Sequence, residues 1–378
     1  MNRTHIGCAA LLALVAIAPR QVAAQRSLGP PTASHDHEFT GINGVRELRD
    51  GRVIVLDARD RTIHVINFAT KSGKTIGRLG DGPGEFRLPR VLLPIGGDTT
   101  LVDDMARSGK LLVLTPAGEV GGLVTTEYNA ITPRTFVVGA ADTMGRFYEN
   151  SYTTDSNTIV RWDRRRDRRD ALARISMQVV SPLFRPRPAS GSAPRGGAER
   201  SGGAPPPFFT VSQWAVSADG HLAVVTPEPY RVTLVSPSGR RVQSQSIPFT
   251  PVPVGADEKQ DYRVERQQSV PTIIFANGVQ TSTYRTPEYT EPVEWPSGLP
   301  AFLPNAVSYA SNGTLWVKRA TRSGAPPLYD VFDKAAKRIY QLELPPRTKL
   351  VGFGSGTVYL ARVDEDDLHY LQRHALPR

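Results

Sequence analysis

Short apolar runs, each interrupted by a small turn signal and then resumed, recur about six times along this chain. The clearest copies are Leu48–Asp57, where Asp50-Gly51 precedes Val53-Ile54-Val55-Leu56, and Trp214–Thr226, where Asp219-Gly220 precedes Leu222-Ala223-Val224-Val225. Fainter copies centre on Gly97-Asp98, Met144-Gly145, Asn312-Gly313 and Ser355-Gly356. Asp-Gly and Asn-Gly pairs tolerate the positive φ of tight hairpin turns, so each copy reads as strand, turn, strand. A continuous apolar run suits a strand buried on both faces, whereas the alternation of Ile63 and Val65 suits a half-buried one. One such unit cannot bury its own apolar face. The repeat therefore predicts neighbours stacked about an axis: an all-β, six-bladed β-propeller.

The blades can be drawn along the chain. The first runs from Ile42 to Leu79, with strands near Val45 and over Arg52–Asp57, Thr62–Phe68 and Lys74–Leu79. The second runs from Val91 to Thr126, the third from Phe136 to about Ile175, and the fourth from Val211 to Phe249. The turn Thr115-Pro116-Ala117-Gly118 of the second matches Ser236-Pro237-Ser238-Gly239 of the fourth. The fifth is Val307–Leu344. The sixth, Leu350 to about Leu376, supplies only three strands, and its fourth is expected from the chain start near His37–Ile42, closing the ring and leaving no open edge. Two stretches fall outside the repeat. Residues 181–207 are rich in Pro, Gly, Ser and Arg and are expected to form a flexible, protease-sensitive loop. Residues 250–304 form an insertion over one face of the disk. It has a polar helix from an Asp257 N-cap, with Gln260 three positions on, to about Gln268, and a hairpin around Ala276-Asn277-Gly278.

Between the first two blades lies Gly80-Asp81-Gly82-Pro83-Gly84-Glu85-Phe86, followed by Pro89. Together with Asp50-Gly51, Val55-Leu56-Asp57 and Arg61-Thr62-Ile63, this segment resembles the NHL-type six-bladed propellers. In that family a Gly-x-Gly-Pro-Gly-x-Phe connector leads through a proline to an Asp-Gly turn, a Val-x-Asp strand end and a basic residue. Gly97-Asp98, Leu101-Val102-Asp103 and Lys110 are a looser second match. The resemblance is specific over residues 41–120 and beyond them is one of strand spacing. It extends to exported bacterial propellers.

The chain start adds a compartment. Met1-Asn2-Arg3, the apolar run Ala9–Ala18 and the ending Val22-Ala23-Ala24 describe a secretory signal over residues 1–24, cut before Gln25, with residues 25–378 as the propeller. No later stretch is long and apolar enough to span a bilayer. Cys8 is the only cysteine, so removal of the signal leaves no thiol or disulfide, and the core and its ladders must hold the fold. The formal charge of +10 draws the protein to anionic surfaces. For an exported protein these are polysaccharides or acidic proteins rather than nucleic acid.

Candidate chemistry is sparse. Gly80–Gly84 lacks the Lys-Ser or Lys-Thr of a phosphate loop and reads as a blade connector. Neither a Gly-x-Ser-x-Gly elbow nor a His-Glu-x-x-His helix occurs. His35 and His37 lie two apart, and ring closure brings them towards His369 and His374, a possible metal group set against ordinary exposed histidines. Propellers of the gluconolactonase type hold calcium with Glu, Asn and Asp at the channel mouth. By that resemblance Asp57, Asp103, Glu149 and Asn150 are candidate ligands. An Asp after a buried strand equally caps its own turn.

The densest basic segment is Arg161–Asp170. Arg164, Arg165, Arg166, Arg168 and Arg169 offer guanidinium forks for carboxylate or sulfate, and Trp162 a ring for stacking; Tyr284 and Arg285 of the insertion are expected to join them. Solvated arginines on a strand turn would look the same. The leading expectation is an exported binding or scaffolding module for a protein or anionic glycan, without a resident cofactor. The alternative is a metal-dependent enzyme at the channel mouth, a lactonase or an NHL-type lyase. For the lyase only His64 and His221 lie away from the termini.

Overall fold

The structure is a computed structural model, and it describes residues 24–377 except 81, 83, 107–108, 127–137, 153–155, 177–205, 269 and 277–278. Six antiparallel sheets follow one another along the chain as six blades. From innermost strand outward, blade 1 is Ile42–Glu47, Val53–Asp57, Thr62–Asn67 and Ser72–Ile76. Blade 2 is Pro89–Pro94, Thr100–Asp104, Lys110–Leu114 and Val120–Thr125. Blade 3 is Val138–Ala141, Phe147–Tyr152, Ser156–Asp163 and Arg168–Ser176. Blade 4 is Gln213–Val216, Leu222–Pro227, Tyr230–Val235 and Arg241–Gln243. Blade 5 is Val307–Tyr309, Leu315–Lys318, Leu328–Phe332 and Arg338–Glu343, and blade 6 contributes Thr348–Gly354, Thr357–Val363 and His369–Ala375.

All six turns read from the repeat are present, and each carries a glycine at positive φ: Gly51 at 84°, Gly97 at 71°, Gly145 at 77°, Gly220 at 88°, Gly313 at 80° and Gly356 at 70°. A side chain there would be strained in every blade, which is why glycine marks the repeat even where the apolar pattern fades. In four of them the glycine N–H closes the turn onto the carbonyl three residues back, at Leu48, Asp142, Ser217 and Ala310, over 2.9–3.0 Å.

Packing is between blades. The second strand of blade 1, Val53–Asp57, is buried throughout, because each blade covers both of its faces with its neighbours. Six apolar clusters fill the six interfaces: Leu56 meets Val102 between blades 1 and 2, Leu101 meets Phe147 between 2 and 3, and Tyr148 meets Val224 between 3 and 4. Val225 and Tyr230 meet Phe302 and Phe332 between blades 4 and 5, Trp316 meets Val358 between 5 and 6, and Val53 meets Tyr359 between 6 and 1. The ring is thus closed by core as well as by hydrogen bonds.

The closing strand differs from expectation. It is Ala33–Ser34, antiparallel to blade 6 with Ala33 opposite Arg373, whereas Phe39 makes only an isolated bridge to His369 and Ile42 already opens blade 1. A chain on the outer edge of blade 6 needs several residues to reach the axis, so residues 37–41 must serve as connector. A second N-terminal element was not foreseen: Gln25–Ser27 adds a parallel fifth strand to the outer edge of blade 5. Arg78–Leu79 leaves blade 1 to pair with Glu85–Phe86, putting the Gly-rich connector into a small two-stranded loop.

Because neighbouring strands are antiparallel, turns joining strands 1–2 and 3–4 lie on one face of the disk, and those joining strands 2–3 and successive blades lie on the other. The insertion links blade 4 to blade 5 and therefore rises from the second, connector face. Its helix spans Ala256–Gln267 and begins from Gly255, whose N–H donates to Glu258 Oε2 over 2.9 Å, so the N-cap stands two residues before Asp257. Tyr262 anchors the helix against Phe208 and Trp295, with ring centroids 5.1 and 5.4 Å away. The hairpin Val270–Ala276 with Val279–Arg285 follows. Residues 1–23 of the expected signal and 181–205 of the expected loop lie outside the described residues.

Candidate functional site at the covered channel mouth

The insertion reaches across the connector face. Tyr284 Oη donates to the carbonyl of Ala58, just after the second strand of blade 1, over 2.7 Å, and Arg61 lies 4.9 Å above the Tyr284 ring. Beneath this roof, between blades 6, 1 and 2, is a chamber of about 370 Å³ whose wall includes Asn43, Arg59, Arg90, Tyr284, Lys349 and His369. A second hollow, of about 420 Å³, lies under the helix and includes Glu265 and Lys318.

Backbone needs shape the chamber wall. Asp57, 1% exposed, accepts from Thr40 N at 2.8 Å, Gly41 N at 3.3 Å and Asp60 N at 3.1 Å, and so fixes the connector entering blade 1. Asp104 repeats this in blade 2, accepting from Arg87, Leu88 and Ala106 N–H groups at 2.9–3.0 Å. His369 accepts from Ile42 N at Nδ1 over 3.1 Å, so the neutral ring carries its proton on Nε2. Its pKa lies below the usual value, through burial first and then the nearby charge of Lys349. Lys349 is likewise lowered, by burial first, with Asp367 raising it and Arg59 lowering it. Lys318 is lowered by burial and by Lys349, against the pull of Glu265. Water reaches Lys318, Lys349 and Arg59, and among the described residues none of the three has an ion pair. The charge of Arg90, by contrast, is matched by Asp103.

The residues singled out in the sequence are dispersed. Asp57 spends its oxygens as a cap, Asp103 pairs with Arg90, and Asn150 Oδ1 accepts from Asn157 at 2.6 Å and Trp214 Nε1 at 2.9 Å. Glu149 is buried at 2% exposure on the same strand as Asn150. Among the described residues no group of three His, Cys, Asp or Glu side chains is placed to hold a metal ion. Of the terminal histidines, His374 Nδ1 lies 2.9 Å from the Gly29 carbonyl oxygen and His35 Nδ1 accepts from His37 N over 3.2 Å, while the Nε2 of each is buried without a hydrogen-bond partner among the described residues.

The arginine turn joins the third and fourth strands of blade 3 and so lies on the face opposite the insertion. Arg164, Arg165, Arg166, Arg168 and Arg169 are therefore not brought together with Tyr284 and Arg285. Trp162 is not an open platform: it is 6% exposed, packs edge-on against Phe147 at 6.1 Å, and carries Arg169 over its ring at 4.4 Å. Arg168 bonds Asp170 over 3.0 Å, and Asp163 holds the Arg165 and Arg166 backbone. Arg59, Lys318 and Lys349 were missed, and His369 was weighed only as a member of a metal group. Each sits at a strand end on the connector face, a position that the phase of the blade repeat marks in the sequence.

No protein-family model and no curated protein sequence matches the chain. Solved structures do match its fold at low identity. Regucalcin from Agrobacterium tumefaciens, described as a calcium-binding protein, is 12% identical with a TM-score of 0.44, over 94% of this chain and 98% of that one. Virginiamycin B lyase from Staphylococcus aureus is 14% identical with a TM-score of 0.41, over 91% and 98%. A gluconolactonase from Xanthomonas campestris is 9% identical with a TM-score of 0.41, over 96% and 99%.

Proposed function

We propose that this chain is an exported binding module, NHL-like in its first two blades, that holds a protein or anionic glycan on the connector face beneath the insertion. The observation carrying this reading is the Tyr284–Ala58 hydrogen bond, which ties a segment leaving blade 4 to blade 1 and turns an open channel mouth into a roofed chamber. Propellers share an architecture and differ in what is placed on their faces, so an insertion confined to one face marks the face in use. Export rests on the signal-like residues 1–24. No helix of the described residues is long and apolar enough to cross a membrane.

The test is capture on immobilised polygalacturonate, with dextran as neutral control, by the protein and by a variant in which Val270–Arg285 is replaced with a short Gly-Ser link. Retention on the acidic polymer that is lost with the hairpin, at an unchanged melting temperature, supports the reading. Equal retention with and without the hairpin overturns it.

A further inference from the structure

The chamber wall has more hydrogen-bond donors than the protein itself uses. Lys349 and Arg59 both lie in the chamber wall without an ion pair among the described residues. The Nε2–H of His369 is fixed as a donor because Ile42 N–H already occupies Nδ1, and no described residue accepts from it. Asn43 is exposed at the inner end of blade 1 and adds an amide. Asp367 is a carboxylate of the same wall, and Arg90 is neutralised by Asp103. Lys318, beneath the neighbouring helix, adds a further cation close enough to lower its own proton affinity through Lys349. Cations and N–H donors gathered around one hollow, with few acceptors of their own, concentrate positive potential there, and an anion bound among them supplies the missing partners.

We propose that the chamber between blades 6, 1 and 2 is a binding site for a small carboxylate or phosphate anion, held by Lys349, Arg59 and the Nε2–H of His369, with Asn43 beside them. The assignment rests on the reading that the insertion-covered face is the ligand face, and it names the chemistry of the ligand there. A volume of about 370 Å³ admits one sugar-acid ring or a phosphorylated group of similar size, so a glycan would enter by a single acidic unit or chain end. The site is separate from the arginine turn, which lies on the opposite face.

Isothermal titration of the purified protein at constant ionic strength tests this with three probes: D-galacturonate, inorganic phosphate and neutral glucose. Binding of one or both anions without glucose is expected, and whichever anion binds identifies carboxylate or phosphate as the source. Lys349→Met and Arg59→Met should each weaken it by about tenfold or more, as for loss of a charge-assisted hydrogen bond. Asn43→Asp, which places a negative charge at an exposed position without disturbing the core, should weaken it similarly. Melting temperatures should stay within about 2 °C of the parent, since solvent-exposed charges contribute little to folding. Absence of anion binding in the parent, or binding unchanged in all three variants, overturns the proposal. Hairpin-dependent capture of polygalacturonate persisting alongside either result would leave the broader reading standing and place its contacts outside the chamber.

Discussion

The Tyr284 hydroxyl lies 2.7 Å from the carbonyl oxygen of Ala58, 226 residues away in sequence, and donates to it. Blade 1 is three blades round the ring from blade 4, so the insertion that makes this bond reaches across the channel mouth. Tyr284→Phe keeps the ring under Arg61 and removes the hydroxyl with its hydrogen bonding. The expected cost is about 1 kcal/mol, confined to the insertion. Hydrogen exchange should quicken in Val270–Arg285 while the blade strands keep their protection. Unchanged exchange in the hairpin would show that the bond does not hold the roof.

Asp57 is expected to matter for folding and not for metal. Removing its carboxylate in Asp57→Ala leaves the half-buried Thr40 and Gly41 N–H groups and that of Asp60 without their acceptor, at a cost of about 1–3 kcal/mol. Asp104→Ala should behave alike, because it caps the equivalent connector of blade 2. Calcium added to the parent should leave its melting temperature unchanged. A rise with calcium that Asp57→Ala abolishes would make Asp57 a ligand instead.

Truncation from the N-terminus should show two steps. Starting the chain at Gly29 removes the parallel strand on blade 5 and the buried Leu28, a modest loss. Starting at Gly41 also removes Ala33–Ser34 and Phe39, which is 1% exposed in the core between blades 6 and 1. Loss of that phenylalanine alone costs about 3–5 kcal/mol. Denaturant melts should resolve the steps, and a single large loss on reaching Gly29 would move the closure to blade 5.

Acid should destabilise the protein before the carboxylates titrate. His64 has its nitrogens 2.9 Å from Thr62 Oγ1 and 3.2 Å from Thr75 Oγ1, and its pKa falls from 6.5 to about 4, by burial first and the charge of His37 second. The unfolded chain therefore takes up a proton near pH 6.5 that the folded protein refuses until about 4. Stability should be level above pH 6.5 and decline between 6.5 and 4, by roughly 3 kcal/mol at most from this residue. His35 and His369, also lowered, act in the same direction. His64→Gln should flatten part of the decline, and an unaltered slope would exclude His64 as a source.

Much of the fold is legible in the residues because its requirements are local. A positive φ at each inner turn calls for glycine, and a strand covered on both faces calls for a continuous apolar run. Gly51, Gly220, Val53–Leu56 and Leu222–Val225 therefore announce blades one at a time. The insertion was legible for the opposite reason: its polar helix and hairpin do not fit the repeat.

What the tertiary structure alone decided is which residues meet. Closing the ring brings Arg59 beside Lys349 and His369, and it gives the outer edge of blade 6 to Ala33–Ser34 and that of blade 5 to Gln25–Ser27, pieces too short to show a period. It also separates what composition suggested belonged together. The arginine turn and Tyr284 stand on opposite faces because a four-stranded antiparallel blade sends alternate turns to opposite ends. Trp162, basic-flanked and conspicuous in the chain, lies in the core between blades 2 and 3 because its strand faces the neighbouring blade there. Local backbone chemistry is written into neighbouring residues. Juxtaposition across some three hundred residues is a property of the closed ring, and the chamber exists only once that ring is shut.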